Sequence, residues 1–206
     1  MTTIFLQRHG IYSNPRNIMP LRMPDISLAI QGIKQIKELC PFYKELEISA
    51  IYASPINRIL ETVDILQYGI WEDEERNEKK VDVSLDLIEP YSPLQGLRID
   101  EYYKLNNGTT MYVSEEHIAA GGETLDSVYT RMNKFISSKL KEHKNESFII
   151  CSHGDPMMIY SMKKRSIEID PNVSLHKQAN FIPMGGAMKL KFDDANELVD
   201  FEELNY

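Results

Sequence analysis

The chain has 206 residues, 42% of them hydrophobic, enough for one domain with its own core and too apolar for a disordered segment. Its formal net charge of −8 argues against nucleic acid as a partner, because polyanion binding needs a basic footprint. Only two cysteines occur, Cys40 and Cys151, and no apolar run reaches membrane-spanning length, so the expectation is a cytoplasmic protein without disulfides or a membrane partner.

In chain order, residues 3–7 form a short apolar strand that ends at Arg8-His9-Gly10. A loop with Pro15, Pro20 and Pro24 follows. A helix is expected from Ser27 as N-cap, with Ile33, Ile36 and Leu39 on one face, ended or kinked by Pro41. Residues 48–53 read as a second strand. Ser54-Pro55 then opens a helix, with the proline in its first turn and Ile56, Ile59, Leu60, Val63 and Leu66 on its apolar face. The charged stretch 72–80 is expected to be a solvated connection, and 81–87 a third strand. Residues 89–122 carry no regular pattern and are read as an insertion capping a site. An amphipathic helix is predicted over 125–140, a strand over 147–151 and a helix after Pro156. Residues 187–192 alternate lysine with apolar residues, as an exposed or edge strand would.

Strands alternating with amphipathic helices predict an α/β fold. The expected form is a three-layer α/β/α sandwich with a mostly parallel central sheet. Residues 1–206 would form a single domain with a small cap insertion at 89–122. Ligands in such folds bind beyond the carboxyl ends of the strands. Three segments fall at those ends: Arg8-His9-Gly10, Ser54-Pro55-Ile56-Asn57-Arg58 and Ser152-His153-Gly154. Guanidinium groups suit phosphate because they are planar, permanently charged and bidentate. A histidine nitrogen can attack phosphorus when a hydrogen bond at the other nitrogen fixes the tautomer. A leaving alkoxide needs a proton, and Glu89 follows the third strand at Leu87-Ile88-Glu89.

Each segment alone is an ordinary turn or helix start, and five in order carry more weight. Leu6-Gln7-Arg8-His9-Gly10, Asp25-Ile26-Ser27-Leu28 with Gly32 and Gln35, Ile51-Tyr52-Ala53-Ser54-Pro55 through Arg58 and Glu61-Thr62, Gly121-Gly122-Glu123-Thr124, and Ile150-Cys151-Ser152-His153-Gly154 resemble the motifs of the histidine phosphatase superfamily, in its phosphoglycerate-mutase-like branch. The resemblance runs over residues 5–192. It implies that His9 is the phosphorylated nucleophile and that Arg8, Arg58 and His153 complete a phosphate pocket. It makes Glu89 the proton donor and Asn14 a substrate-contacting residue. The implied activity is hydrolysis of a phosphate monoester, on a small metabolite or a phosphoprotein, through a phosphohistidine intermediate. Mutase-type phosphoryl transfer and a non-catalytic phosphate-binding module remain as alternatives. Ile11 stands where many members carry a polar residue, and residues 90–96 lack the family's Trp-Glu-Gly pattern, so the substrate stays open.

The remaining polar residues have plainer readings. Asp155 is expected as a helix N-cap or first-turn acid, with general acid as the rival role. Arg16 and Arg22 read either as a solvated loop or as contacts to a second anionic group. His117, His143 and His176 lack metal-like spacing and are expected at the surface, so neither a metal site nor a cofactor is anticipated. Tyr102, Tyr103 and Tyr112 are expected to pack, with lining a cap as the alternative. Nothing in the sequence sets an oligomeric state.

Overall fold

The computed structural model describes residues 1–106, 109–178 and 181–204. Six strands are present: β1 (Thr2–Arg8), β2 (Ile48–Ala53), β3 (Lys80–Val83), β4 (Ser147–Ser152), β5 (Ala187–Phe192) and β6 (Leu198–Leu204). They form one sheet in the order β3-β2-β4-β1-β5-β6. The first four in that order are mutually parallel, β5 runs antiparallel to β1, and β6 runs antiparallel to β5.

Strand side chains alternate between faces, so each inner strand feeds two cores. β1 sends Ile4 and Leu6 to one face and Phe5 to the other; β4 divides Phe148 and Ile150 from Ile149 and Cys151 in the same way. Helices α1 (Ile30–Lys44) and α2 (Asn57–Ile70) cover the Phe5 face through Ile36, Leu39, Tyr43, Ile59, Val63 and Leu66. Helices α6 (Leu125–Glu142) and α7 (Gly154–Lys164) cover the other through Met132, Ile136, Leu140, Met158 and Met162. The three-layer α/β/α arrangement with a mostly parallel sheet is the expected one. In chain order, short helices α3 (Asp73–Glu78), α4 (Ile99–Leu105) and α5 (Glu115–Ala119) lie between α2 and α6.

Several local expectations are corrected. α1 starts at Ile30 with Ala29 as N-cap, because Ser27 and the residues after it are already paired with the loop that follows β1: Ser13 N–H donates to the Ser27 carbonyl and Ala29 N–H to the Ile11 carbonyl, both at 2.9 Å. Pro41 lies inside α1 and does not end it. The helix runs on for one more turn, held by the burial of Cys40 and Tyr43 on its inner face. Pro55 precedes α2 by two residues and is not in its first turn. Residues 73–78 are helical though none of them is buried, with Glu75 accepting from the Glu72 N–H at 3.0 Å. β3 stops at Val83, and a 3₁₀ turn (Leu85–Leu87) follows. Among the described residues of 89–122, two short α-helices and a 3₁₀ turn (Met111–Val113) stand where no pattern was expected. β5 is an interior strand: β6 pairs with its outer edge, and Lys189 and Lys191 meet Glu202 and Asp200 across it at 3.2 and 3.1 Å. Those cross-strand carboxylates explain the alternating lysines that suggested an edge.

Candidate functional site

Register brings the two histidines together. β1 and β4 are parallel neighbours with Arg8 opposite Ser152, so His9 and His153 leave the sheet side by side, their ring centroids 5.5 Å apart. β2 lies on the far side of β4, and Ser54 N–H donates to the Cys151 carbonyl at 3.1 Å. α2 opens three residues later and carries Arg58, only 1% exposed, in its first turn.

Hydrogen bonds assign the tautomers. His9 Nδ1 lies 2.9 Å from the Gly10 carbonyl, which can only accept, so Nδ1 carries the proton and Nε2 the lone pair. Burial, then the charges of Arg58 and Arg8, hold His9 well below the usual histidine range and keep it neutral. His153 is set the other way round. Arg58 Nη2 can only donate, and it donates to His153 Nδ1 at 3.1 Å, so Nε2–H donates to Ser54 Oγ at 2.8 Å. Burial, with Arg58 next, likewise keeps His153 neutral.

The arginines are fixed at one end and open at the other. Arg58 Nη2 also donates to the Leu21 carbonyl at 2.7 Å, and Leu21 holds a left-handed φ of 35°, rare for a bulky residue and often a mark of functional sites. Arg8 Nη1 donates to the Ile182 carbonyl at 2.6 Å, and its guanidinium lies 4.8 Å from the centre of the Phe181 ring. Arg8 Nε, Arg58 Nε and Arg58 Nη1 are buried with no hydrogen-bond partner among the described residues. Buried donors are almost always paired, so three on converging arginines form a ready anion site. Burial works against both charges, and Glu89 supports them.

Glu89 faces this group. Its Oε2 is 3.7 Å from His153 Nδ1 and accepts no hydrogen bond among the described residues. Burial first, then the neighbouring Asp155, push its carboxyl up to about 7 against the opposing arginines. Arg8, His9, Arg58, Glu89 and Asp155 line a cavity of about 80 Å³, with Tyr102 and Met111 also in its lining. A larger groove of about 600 Å³ lies at the opposite end of the strands, near Lys44, Trp71 and Ser147, and brings together no comparable set of groups.

Residues 4–174 match the model of the histidine phosphatase superfamily, branch 1. The chain belongs to that superfamily. Over 136 residues it is 29% identical to phosphoserine phosphatase 1 of Hydrogenobacter thermophilus, a match covering 65% of this chain and 62% of that protein. Its fold superposes on YhfR of Bacillus stearothermophilus with a TM-score of 0.79 at 20% identity, covering 97% and 95% of the two chains. A phosphoserine phosphatase from Entamoeba histolytica gives 0.75 at 20% identity, covering 100% and 98%.

Within this histidine phosphatase fold, five expected site residues converge: Arg8, His9, Arg58, Glu89 and His153. Asn14 does not join them. Its amide is turned into its own loop, with Nδ2 donating to the Ile18 carbonyl at 2.8 Å and Oδ1 accepting from Ile18 N–H at 3.2 Å. Asp155 sits in the first turn of α7, where His153 is the N-cap, and it also lines the cavity, accepting from Tyr112 Oη at 3.0 Å. His176 packs on Phe181, ring centroids 4.0 Å apart, at the cavity wall. His117 is buried, not superficial, bonded at 2.9 Å to both Ser92 Oγ and the Glu123 carbonyl. His143 is half-buried between Tyr52 Oη and Glu146. Ser54 stood inside a quoted motif, so it was visible in the sequence. Tyr12, Leu21 and Phe181 carried no signal, because their part is contact made by folding.

Among the described residues, no cluster of histidines, cysteines and carboxylates could hold a metal, and no helix is long and apolar enough to cross a membrane.

Proposed function

We propose that the chain is a phosphatase that hydrolyses a small phosphate monoester through a phosphohistidine on His9. The observation that carries this reading is the neutral His9 ring, its Nδ1–H committed to the Gly10 carbonyl, set beside two buried arginines with unpartnered N–H groups. His9 Nε2 attacks phosphorus as the ester P–O bond breaks. Arg8 and Arg58 stabilise the equatorial oxygens, and the neutral His153 ring, bonded to Arg58 Nη2 and Ser54 Oγ, holds the Arg58 guanidinium in place beside them. Glu89, protonated near neutrality, gives its proton to the departing alkoxide. The resulting carboxylate then takes a proton from water, whose oxygen attacks phosphorus and breaks the N–P bond. Phosphate leaves, and both His9 and Glu89 return to their starting forms.

The described residues of 89–122 act in this reading as a cap, with Tyr102 and Met111 contributing to the cavity lining; residues 107–108 lie outside the described residues. A space of about 80 Å³ fits the phosphate and the first atoms of a small leaving group better than a folded phosphoprotein. Buried free thiols at Cys40 and Cys151 agree with a cytoplasmic setting. A panel of phosphorylated metabolites, assayed with wild type and His9→Ala, tests the reading. Turnover should fall by at least about 10³-fold in the variant, and acid-labile, base-stable phosphate should be trapped on wild type alone. Activity surviving in His9→Ala, or mutase rates far above hydrolysis, would overturn it.

A further inference from the structure

Glu123 precedes α6 in the Gly121-Gly122-Glu123-Thr124 segment and lies outside the cavity. Its side chain is 11% exposed and gathers donors from three parts of the chain. Arg131 Nε donates to Oε1 at 2.7 Å, and Arg131 Nη2 to Oε2 at 3.3 Å. Arg22 Nη2 donates to Oε2 at 2.9 Å, and Tyr91 N–H to the same oxygen at 3.1 Å. Ser127 Oγ completes the set at 3.2 Å from Oε1. Burial opposes ionisation here, yet the hydrogen bonds and charge of Arg131, with Tyr91 and Arg22, hold this carboxyl below the usual range.

The two arginines bonded to Glu123 reach onward to one short stretch of backbone. Arg22 Nε donates to the Glu89 carbonyl at 2.6 Å, and Arg131 Nη1 to the Asp86 carbonyl at 2.7 Å. Glu123 N–H donates to the Tyr91 carbonyl at 2.9 Å. The main chain on both sides of Glu89 is therefore tied to one half-buried carboxylate. Glu89 Oε2, by contrast, accepts no hydrogen bond among the described residues. A carboxyl oxygen without hydrogen bonds of its own takes its place from the backbone beneath it.

We propose that Glu123 is a positioning residue: through Arg22, Arg131 and Tyr91 it holds the 86–91 backbone so that the Glu89 carboxyl meets the leaving oxygen. The inference rests on the phosphatase reading above. It explains why a carboxylate outside the cavity should govern proton donation within it. Proton donation matters for a poor leaving group and little for a good one. An alkoxide needs Glu89, whereas p-nitrophenolate departs without a proton.

The test compares kcat/KM for p-nitrophenyl phosphate with that for the alkyl phosphate turned over fastest in the panel. That parameter reports the step in which the P–O bond breaks. Glu123→Gln should lose about 10- to 100-fold on the alkyl ester, within the range of a misplaced general acid, and less than about threefold on the aryl ester. Arg22→Ala, which cuts the tie to the Glu89 carbonyl, should show the same selectivity to a smaller extent; it carries the test if the Glu123 variant fails to fold. In a Glu89→Gln background, Glu123→Gln should add almost nothing on the alkyl ester, because both act on one proton transfer. Equal losses on both esters, full additivity, or no loss would overturn the proposal. A wild-type protein that hydrolyses neither ester would instead overturn the phosphatase reading.

Discussion

Glu89 sits where a carboxyl keeps its proton. Burial and the adjacent Asp155 raise it from 4.5 to about 7, although Arg58 and Arg8 pull the other way. A proton donor is competent below that value and lost above it, so kcat/KM on an alkyl phosphate should decline as pH rises through about 7. Glu89→Gln should remove that limb. The same shift has a folding consequence. Between 4.5 and about 7 the native state holds a proton that the unfolded chain has released, so stability falls as pH rises across that window. Glu89→Gln removes an ionisable group that the fold accommodates poorly when charged. It should stabilise the protein above pH 7 by on the order of 1–3 kcal/mol, discounted for coupling to Asp155 and the nearby arginines. Below pH 4.5 the gain should vanish. Denaturant unfolding at about pH 8 and at about pH 4.5 measures both, and an equal gain at the two would refute the account.

Among the elements, the approach of α1 to the nucleophile loop is the tightest constraint. A Cβ on Gly32 would stand 2.0 Å from the Ile11 carbonyl oxygen, and one on Gly10 would stand 2.8 Å from the Gly32 carbonyl oxygen. Alanine inside a helix normally gains about 1 kcal/mol over glycine, but here the contact is with backbone that cannot rotate away. Gly32→Ala should therefore destabilise by about 1–3 kcal/mol and lower turnover as the loop carrying His9 shifts. A melting curve and a kcat measurement on the same preparation check the sign. Glycines at both positions, and their family-like spacing, were legible in the sequence. Their mutual contact was not, because it joins residues on two elements. The start of α1 eluded the sequence for the same reason. Ser27 has the chemistry of an N-cap, but pairing with residues 11–13 delays the helix to Ile30.

On the scale of the whole molecule, the site depends on a sheet held between two helical layers. Ile136 on α6 is fully buried among Phe148, Ile150 and Leu140. Ile136→Ala should cost about 2–5 kcal/mol, visible as a lower denaturation midpoint. The kcat of the folded fraction should change little, because the His9–His153 pairing is set by the register of β1 with β4 and not by α6. A large fall in kcat without loss of stability would show that the layers transmit more than support.

The sequence alone indicated strands β1 to β5, helices α1, α2, α6 and α7, the three-layer class, and Arg8, His9, Arg58, Glu89 and His153 as candidate site residues, while β6 and the short helices α3, α4 and α5 went unread. The indicated features follow from local periodicity and from residue types whose chemistry is limited to a few roles. Only the tertiary structure decided which nitrogen of each histidine bears its proton, that Asn14 turns into its own loop, and that β5 is interior. It alone joined Glu123 to Glu89. Each of these depends on a partner far along the chain, and a hydrogen bond or a burial penalty exists only once folding has set that partner in place.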